Sequence, residues 1–345
     1  MNNIFSISIN LYYPLVRVNE SSKIPGAWSA LSPAEDRSRE KGPDMIASLN
    51  DFSRLAREKG PKEMAVLAPE DEEFMRAVRI SRERGYIEPI LIGDGEKIAQ
   101  AAGKVDFDIG PFQKISSDDP REISNLGIGM LFSGKAPIAG KGQIPTSHIY
   151  RSIIREEAKA GSGMTVSVVT FWEVPGIDHL VAFTDTGVNI RPDLRAKREI
   201  VRNAVFVYHL LGIPRPRIAV LSGQREAGGE LPSYGDFKEL RKAAEAGDFG
   251  SCDIEEAASF TDIFLGGGIR GERMPHILLV PCLDTGNILC KLDFFLNVKR
   301  SSLVATSRGP VCIPARSDFS DNIVLQIAMS VVLADRMGKQ GGEIR

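Results

Sequence analysis

Short apolar runs alternate with amphipathic stretches along most of this chain. Residues 64–68 read M-A-V-L-A, and residues 70–84 follow with Phe74, Met75 and Val78 on one helical face before Gly85. An unbroken apolar run of that length predicts a buried strand, and the helical spacing after it predicts a helix that the glycine stops. The pair recurs at 89–92, followed by a helical pattern through Ile98 and Ala101. Further short apolar runs lie around Ile138 and at 166–169, 180–183, 218–221, 277–280 and 311–313, with helical stretches between most of them, notably 193–211. Such alternation predicts an α/β protein with a largely parallel sheet and helices on both faces.

The first part of the chain breaks the pattern. Residues 17–63 are rich in Ser, Pro, Gly, Lys and Glu, with almost no apolar period until Ile46, Leu49, Phe52 and Leu55 begin a short amphipathic helix. Residues 1–44 are therefore expected to be a disordered extension or the product of a start codon set too far upstream, with Met45 as the natural beginning. The partly apolar stretch 4–16 contains Asn10 and Pro14 and lacks a basic leader, so it does not read as a secretory signal.

Composition narrows the classes of function. A chain of 345 residues with 43% hydrophobic and 26% charged residues is that of a soluble globular protein with one or two cores. Its formal net charge of −2 gives no electrostatic reason to expect nucleic acid or an anionic membrane as partner, and no stretch reads as a membrane span. Cys252, Cys282, Cys290 and Cys312 form no C-x-x-C pair, and His148, His179, His209 and His276 make no metal spacing with them. Reduced thiols, a cytoplasmic location and no metal are the expectation.

Candidate chemistry gathers where apolar runs end. The stretch P-C-L-D-T-G-N-I-L-C-K, 281–291, follows the run 277–280 and sets Asp284, Thr285, Gly286 and Asn287 before a helical pattern. Strand-to-helix junctions in α/β proteins carry free backbone N–H donors and bind anions. Four other segments share this character. Lys141-Gly142 precedes Thr146, placed in the N-cap region of a helix with Ile149, Ile153 and Ile154, and Arg151 follows. Residues 184–192, T-D-T-G-V-N-I-R-P, end one strand and feed a helix whose first positions include Pro192. Ser222 ends the run 218–221, and Ala315-Arg316-Ser317-Asp318 lies beyond 311–313. Each alone is more often turn and cap chemistry than catalysis. Gly266 to Gly268 lack phosphate-loop spacing and read as a flexible connection.

Together these segments resemble one family in order and spacing. K-G-x-x-x-T-x-x-x-x-R from Lys141 to Arg151, T-D-x-x-x-N-x-x-P from Thr184 to Pro192, V-L-S ending at Ser222, T-G-N-x-x-x-K from Thr285 to Lys291, and the late Arg316 with Ser317-Asp318 are similar to the phosphate acetyltransferase and phosphate butyryltransferase family, over roughly residues 45–335. The segment V-P-G-I-D-H-L, 174–180, and R-S-D after the last strand look closer to the butyryl branch. The resemblance implies a two-domain, doubly wound α/β fold related to isocitrate and isopropylmalate dehydrogenases, with an interdomain cleft. Residues 45–170 plus 306–345 would form domain one and 171–305 domain two, in a homodimer. The implied reaction converts acyl-CoA and orthophosphate to acyl phosphate and CoA, reversibly, with CoA as substrate and no cofactor.

On that resemblance Arg316, Asn287, Asn189 and Asp185 are the catalytic candidates. Lys141, Gly142, Thr146, Arg151, Ser222, Thr285, Gly286, Lys291 and Asp318 are the substrate-binding ones. Arg316 and the N–H groups near Gly286 and Asn287 suit a phosphate dianion. Asn189, Asn287 or Thr285 suit charge developing on the acyl oxygen, and Asp185, Asp318 or Asp321 could accept the CoA thiol proton. The chain also departs from the family. Ala315 stands where Ser usually precedes the late Arg, Ala257-Ala258 replace a usual Gly-Pro within 256–262, and the usual A-G-D-A-D is unrecognisable in 271–276. Loss of one preorganised active-site donor costs about 2.7–4 kcal/mol of transition-state stabilisation. Two alternatives stand beside the acyltransferase: a non-catalytic or regulatory CoA- or acyl-CoA-binding paralogue, and, more remotely, a metal-dependent decarboxylating dehydrogenase, for which Asp318 and Asp321 make a poor metal site.

Overall fold

The computed structural model describes residues 45–223, 231–255, 259, 263, 274–296 and 298–339. The first element is helix α1 (Leu49–Lys59), which Ser48 opens: its hydroxyl accepts from Asp51 N while the Asp51 carboxylate accepts from Ser48 N, a reciprocal capping box. Leu49, Phe52, Leu55 and Ala56 form its buried face, as the spacing predicts, and it packs on the last helix, α10 (Ser320–Lys339).

One sheet organises the described residues. Its strands are β1 (Lys62–Leu67), β2 (Ile87–Gly93), β3 (Lys114–Ser116), β4 (Ile138–Lys141), β5 (Ser167–Glu173), β6 (Val181–Thr184), β7 (Arg217–Val220), β8 (Asp253–Ile254), β9 (Ile277–Leu279), β10 (Lys299–Ala305) and β11 (Pro310–Cys312). Their order is β3-β2-β1-β4-β11-β10-β5-β6-β9-β7-β8. In β1, Met64 and Val66 join one core cluster and Ala65 and Leu67 the other, the strand alternation that puts helices on both faces. The first cluster takes side chains from α1, α2 (Glu72–Glu83), α3 (Gly95–Lys104), α6 (Leu194–Leu210), α7 (Pro232–Glu245) and α10. The second takes them from α4 (Pro120–Phe132) and α5 (Thr146–Ala160). The remaining helices among the described residues are α8 (Leu283–Cys290) and the short α9 (Asp293–Leu296).

The sheet is mixed rather than uniformly parallel. β10 is antiparallel to β11 and to β5, and β5 is antiparallel to β6; the other pairings are parallel. Three reversals in succession leave β6, β9 and β7 running opposite to β1, β4 and β11. β10 gave no apolar run because it begins K-R-S-S, yet Arg300, Ser301 and Ser302 are all buried. β3 and β8 are short edge strands. The expected start of α6 also shifts: Asp193 caps it by accepting from Ala196 N, so Pro192 stays outside the helix.

Two histidines meet where β9 and β6 begin. The rings of His179 and His276 lie 4.3 Å apart, and His276 Nδ1 accepts from Arg217 N at 3.1 Å. Tyr208 Oη donates to the carbonyls of Leu180 and His276 beside them. Burial first, then the facing His179 and Arg217, push the His276 imidazole from 6.5 down to about 3. A depressed folded value means that the unfolded chain binds the proton more readily, so this contribution is complete above about pH 6.5 and is lost as the pH falls towards 3. Linkage predicts a loss of about 2 kcal/mol at about pH 5. His276→Asn, whose amide oxygen can take the Nδ1 position without titrating, should lose correspondingly less stability between about pH 7.5 and about pH 5 in denaturant unfolding. Equal losses in the two proteins would exclude His276 as the source.

Candidate active site

β4 delivers a lysine to a crowded corner. Gly142, just past its end, donates to Leu67 O at 2.7 Å, and a Cβ there would lie 2.2 Å from Ala68 O and 2.9 Å from the Phe74 ring. Only glycine allows β4 to leave the sheet so close to β1. Lys141 is consequently buried, its Nζ donating to Gly142 O at 3.0 Å. Burial and the charge of Arg316 hold its ammonium below the ordinary lysine range, with Asp71 acting in the opposite direction.

Arg316 reaches the same place from the turn after β11. Lys141, Gly142, Ala315, Arg316 and Asp318 line one cavity of about 230 Å³, whose apolar wall includes Phe74 and Ile144. Arg316 is exposed, and among the described residues neither it nor Lys141 has an ion-pair partner. Asp71 and Asp318 also line the cavity but are engaged. Asp71 accepts from Phe74 N and Gln143 Nε2, and Asp318 accepts from Arg300, Ala315 N and Gln326 Nε2. Ile144 and Pro145 bring the N-terminus of α5 to the cavity edge. Thr146 is the first helical residue and not the cap; Pro145 holds that position, and no side chain caps the first turn. The partial positive charge of that terminus adds to the two cations.

A second cluster forms around Asp185. Its carboxylate accepts from Val168 N, Gly187 N, Val188 N, Asn189 N and Asn189 Nδ2, at 2.7–3.2 Å. Asn189 Nδ2 also donates to Val166 O. Gly286 presses on this loop, where a Cβ would sit 2.7 Å from Asp185 O, so the T-D and T-G-N motifs touch. Residues 284–287 form the first turns of α8 and do not precede it. The Thr285 hydroxyl and the N–H groups of Thr285 and Asp284 hold the Cys282 thiol below its ordinary value, and Asn287 O accepts from Cys290 Sγ.

The candidates therefore fall into separate groups. Lys141, Gly142, Arg316 and Asp318 share the cavity, while Asp185, Asn189, Thr285, Gly286 and Asn287 share the second cluster. β4 and β6 are separated by β11, β10 and β5, about 19 Å across at ordinary strand spacing. Ser222 follows β7 and is hydrogen-bonded to Ser233. Arg151, Lys291 and Asp321 are exposed on α5, after α8 and on the first turn of α10. Arg300, Asp293 and Gln326 carry no sequence signal of their own yet anchor Asp318 and its turn. The departures within 256–258, 260–262 and 271–273, and Gly266 to Gly268, lie outside the described residues. Among the described residues no three His, Cys, Asp or Glu side chains are grouped to hold a metal, and no helix is long and apolar enough to cross a membrane.

Comparison with known proteins gives a consistent result. The family described as phosphate acetyl/butaryl transferase matches residues 118–248. A phosphate butyryltransferase of Clostridium acetobutylicum is 28% identical over 299 residues, covering 84% of this chain and 99% of that protein. A phosphate acetyltransferase of Rhizobium meliloti is 26% identical, covering 86% of this chain and 97% of that one. The crystal structure of a branched-chain phosphotransacylase from Enterococcus faecalis superposes with a TM-score of 0.65 at 21% identity, covering 79% of this chain and 99% of that one. With the motifs in order from Lys141 to Arg316, the chain is similar nearly end to end to phosphate butyryltransferases and phosphate acetyltransferases.

Proposed function

We propose that the protein is a phosphate acyltransferase that interconverts a short-chain acyl-CoA plus orthophosphate with an acyl phosphate plus CoA, with butyryl-type substrates favoured. The observation that carries this reading is the cation pair Lys141 and Arg316, unpaired with carboxylates among the described residues, on a cavity that also has an apolar wall. Two such charges in a partly buried site favour an anion between them, and the planar Arg316 fork suits phosphate oxygens. In the forward direction a phosphate oxygen bonds to the acyl carbon and the carbon–sulfur bond breaks, leaving CoA as thiolate. Phe74 and Ile144 offer the acyl chain an apolar surface. Asp185 and Asp318, with their oxygens already engaged, serve in this reading as organisers of the loops that carry Asn189 and Arg316 rather than as bases.

We further infer the finer architecture of the isocitrate and isopropylmalate dehydrogenases, divided as 45–170 with 306–345 against 171–305, and a cytoplasmic homodimer. The reversal of strand direction across β10, β5 and β6, where residues 171 and 305 fall, supports the division.

Thiol release from butyryl-CoA, dependent on added phosphate, tests the activity directly; CoA binding without turnover would instead identify a binding paralogue. Arg316→Lys should lower kcat/KM for phosphate by about 10- to 100-fold, equivalent to about 1.4–2.7 kcal/mol. Lys141→Met should act in the same direction. Phosphate affinity in the wild type should decline as rising pH removes the proton from Lys141, and Lys141→Met should lack that decline. Unchanged phosphate dependence in both variants would rule the cavity out.

Ala315 lines the same cavity where a hydroxyl is usual in the family, and its N–H is already held by Asp318. Ala315→Ser should raise kcat by about tenfold, roughly 1.4 kcal/mol in the barrier, with CoA affinity unchanged by calorimetry. A serine variant no faster than the wild type would show that the missing hydroxyl does not limit turnover.

A further inference from the structure

Arg300 is buried near the start of β10 and does not line the cavity. We propose that it is a positioning residue that sets Arg316 in place for its anion, acting through Asp318; the proposal rests on the phosphate reading of the cavity given above. Its guanidinium forks between two segments: Nε donates to Asp293 Oδ2 and Nη2 to Asp318 Oδ1, each at 2.6 Å. Asp293 begins α9, two residues beyond Lys291, so one end of the fork holds the segment after the T-G-N motif. Asp318 ends the turn that presents Arg316, so the other end holds that turn.

Asp318 passes the restraint to the backbone. Its second oxygen accepts from Ala315 N and Gln326 Nε2, both at 2.9 Å, and its own N–H donates to Ala315 O at 3.0 Å. Arg316 and Ser317 are closed inside this ring of bonds. Arg316 has no ion-pair partner among the described residues, so its direction depends on the turn it stands on. Among the described residues Asp293 Oδ1 is buried with no hydrogen-bond partner, and Arg300 is the side-chain donor to that carboxylate. Removing the fork would leave two buried carboxylates facing each other, and the turn is the part free to move away.

Arg300→Lys tests this in the full chain, because it keeps one charge but cannot donate to both carboxylates in the same geometry. Native-state trypsin cleavage after Arg316 should accelerate about tenfold, while cleavage after exposed Lys104 and the thermal midpoint change little. The Kd for inorganic phosphate should rise about tenfold, and Arg300→Lys should add nothing in an Arg316→Gln background, the signature of action through one residue. If Arg300→Lys does not fold, Gln326→Met removes the other side-chain donor to Asp318 and should move cleavage and Kd in the same direction. Unchanged cleavage and Kd, or effects that multiply in the double variant, would overturn the proposal. A wild type that binds no phosphate would overturn the reading of the cavity and this role with it. Accelerated cleavage alongside that result would place the failure in the ligand and not in the turn.

Discussion

The structure depends on burying an arginine in the middle of its sheet. β10 is the sixth of the strands in spatial order and carries Arg300, Ser301 and Ser302 inside. Burial works against the Arg300 charge, and Asp318 and Asp293 more than offset it, so its pKa is raised. A guanidinium is tolerated there only with both carboxylates in reach, and breaking such a pair costs about 3–5 kcal/mol. α9, β10 and the turn after β11 are therefore fixed relative to one another by charge as well as by backbone pairing. Ser302 is met in the same way, sharing a hydrogen bond with Thr170 on β5, which in turn bonds Thr186.

The polarity of the sheet changes just beyond that polar strand, between β5 and β6. β10 lies antiparallel between β11 and β5, with Leu303 facing both Cys312 and Val169. Beyond it β5 and β6 reverse again, and the carboxyl ends of β6, β9 and β7 leave the sheet on the edge opposite to those of β4 and β11. The two edges differ electrostatically. At one, Lys141 and Arg316 line the same cavity, and burial first, then the charge of Arg316, lower the Lys141 pKa. At the other, the Asp185 carboxylate fills a nest of N–H groups with the chain's own anion, leaving the loop preorganised without a ligand. An external anion has something to gain at the first edge and nothing to displace easily at the second.

Legibility in the sequence followed the same division. β1, β2, β4, β7 and β9 announce themselves as unbroken apolar runs because both their faces are covered by helices or core. β10 does not, since it begins with polar residues, of which Arg300 and Ser302 are satisfied by partners on other elements, and a local pattern has no access to Asp293 and Asp318 as ligands of Arg300. The cap of α6 and the first turn of α8 shift by a residue or a few for an ordinary reason: Asp193 is the better cap beside Pro192, and 284–287 are compatible with helix once Gly286 is pressed against the Asp185 loop. Lys141, Gly142, Arg316 and Asp318 were legible as cavity residues because the motif and the strand end coincide.

The grouping of the remaining candidates was not legible, and the reason is topological. In a uniformly parallel sheet every strand-to-helix junction opens on the same edge, so polar motifs at successive junctions converge on one site. That rule places Asp185, Asn189 and Asn287 beside Lys141 as long as every strand points the same way. Three antiparallel pairings in the order β11-β10-β5-β6 send them to the other edge. The two reversals on either side of β10 cancel and leave β5 parallel to β11, so the third, between β5 and β6, is the one that turns the later strands over. A buried ion pair thus accounts for the unannounced strand, and the antiparallel β5–β6 pair for the separation of the motifs on either side of it.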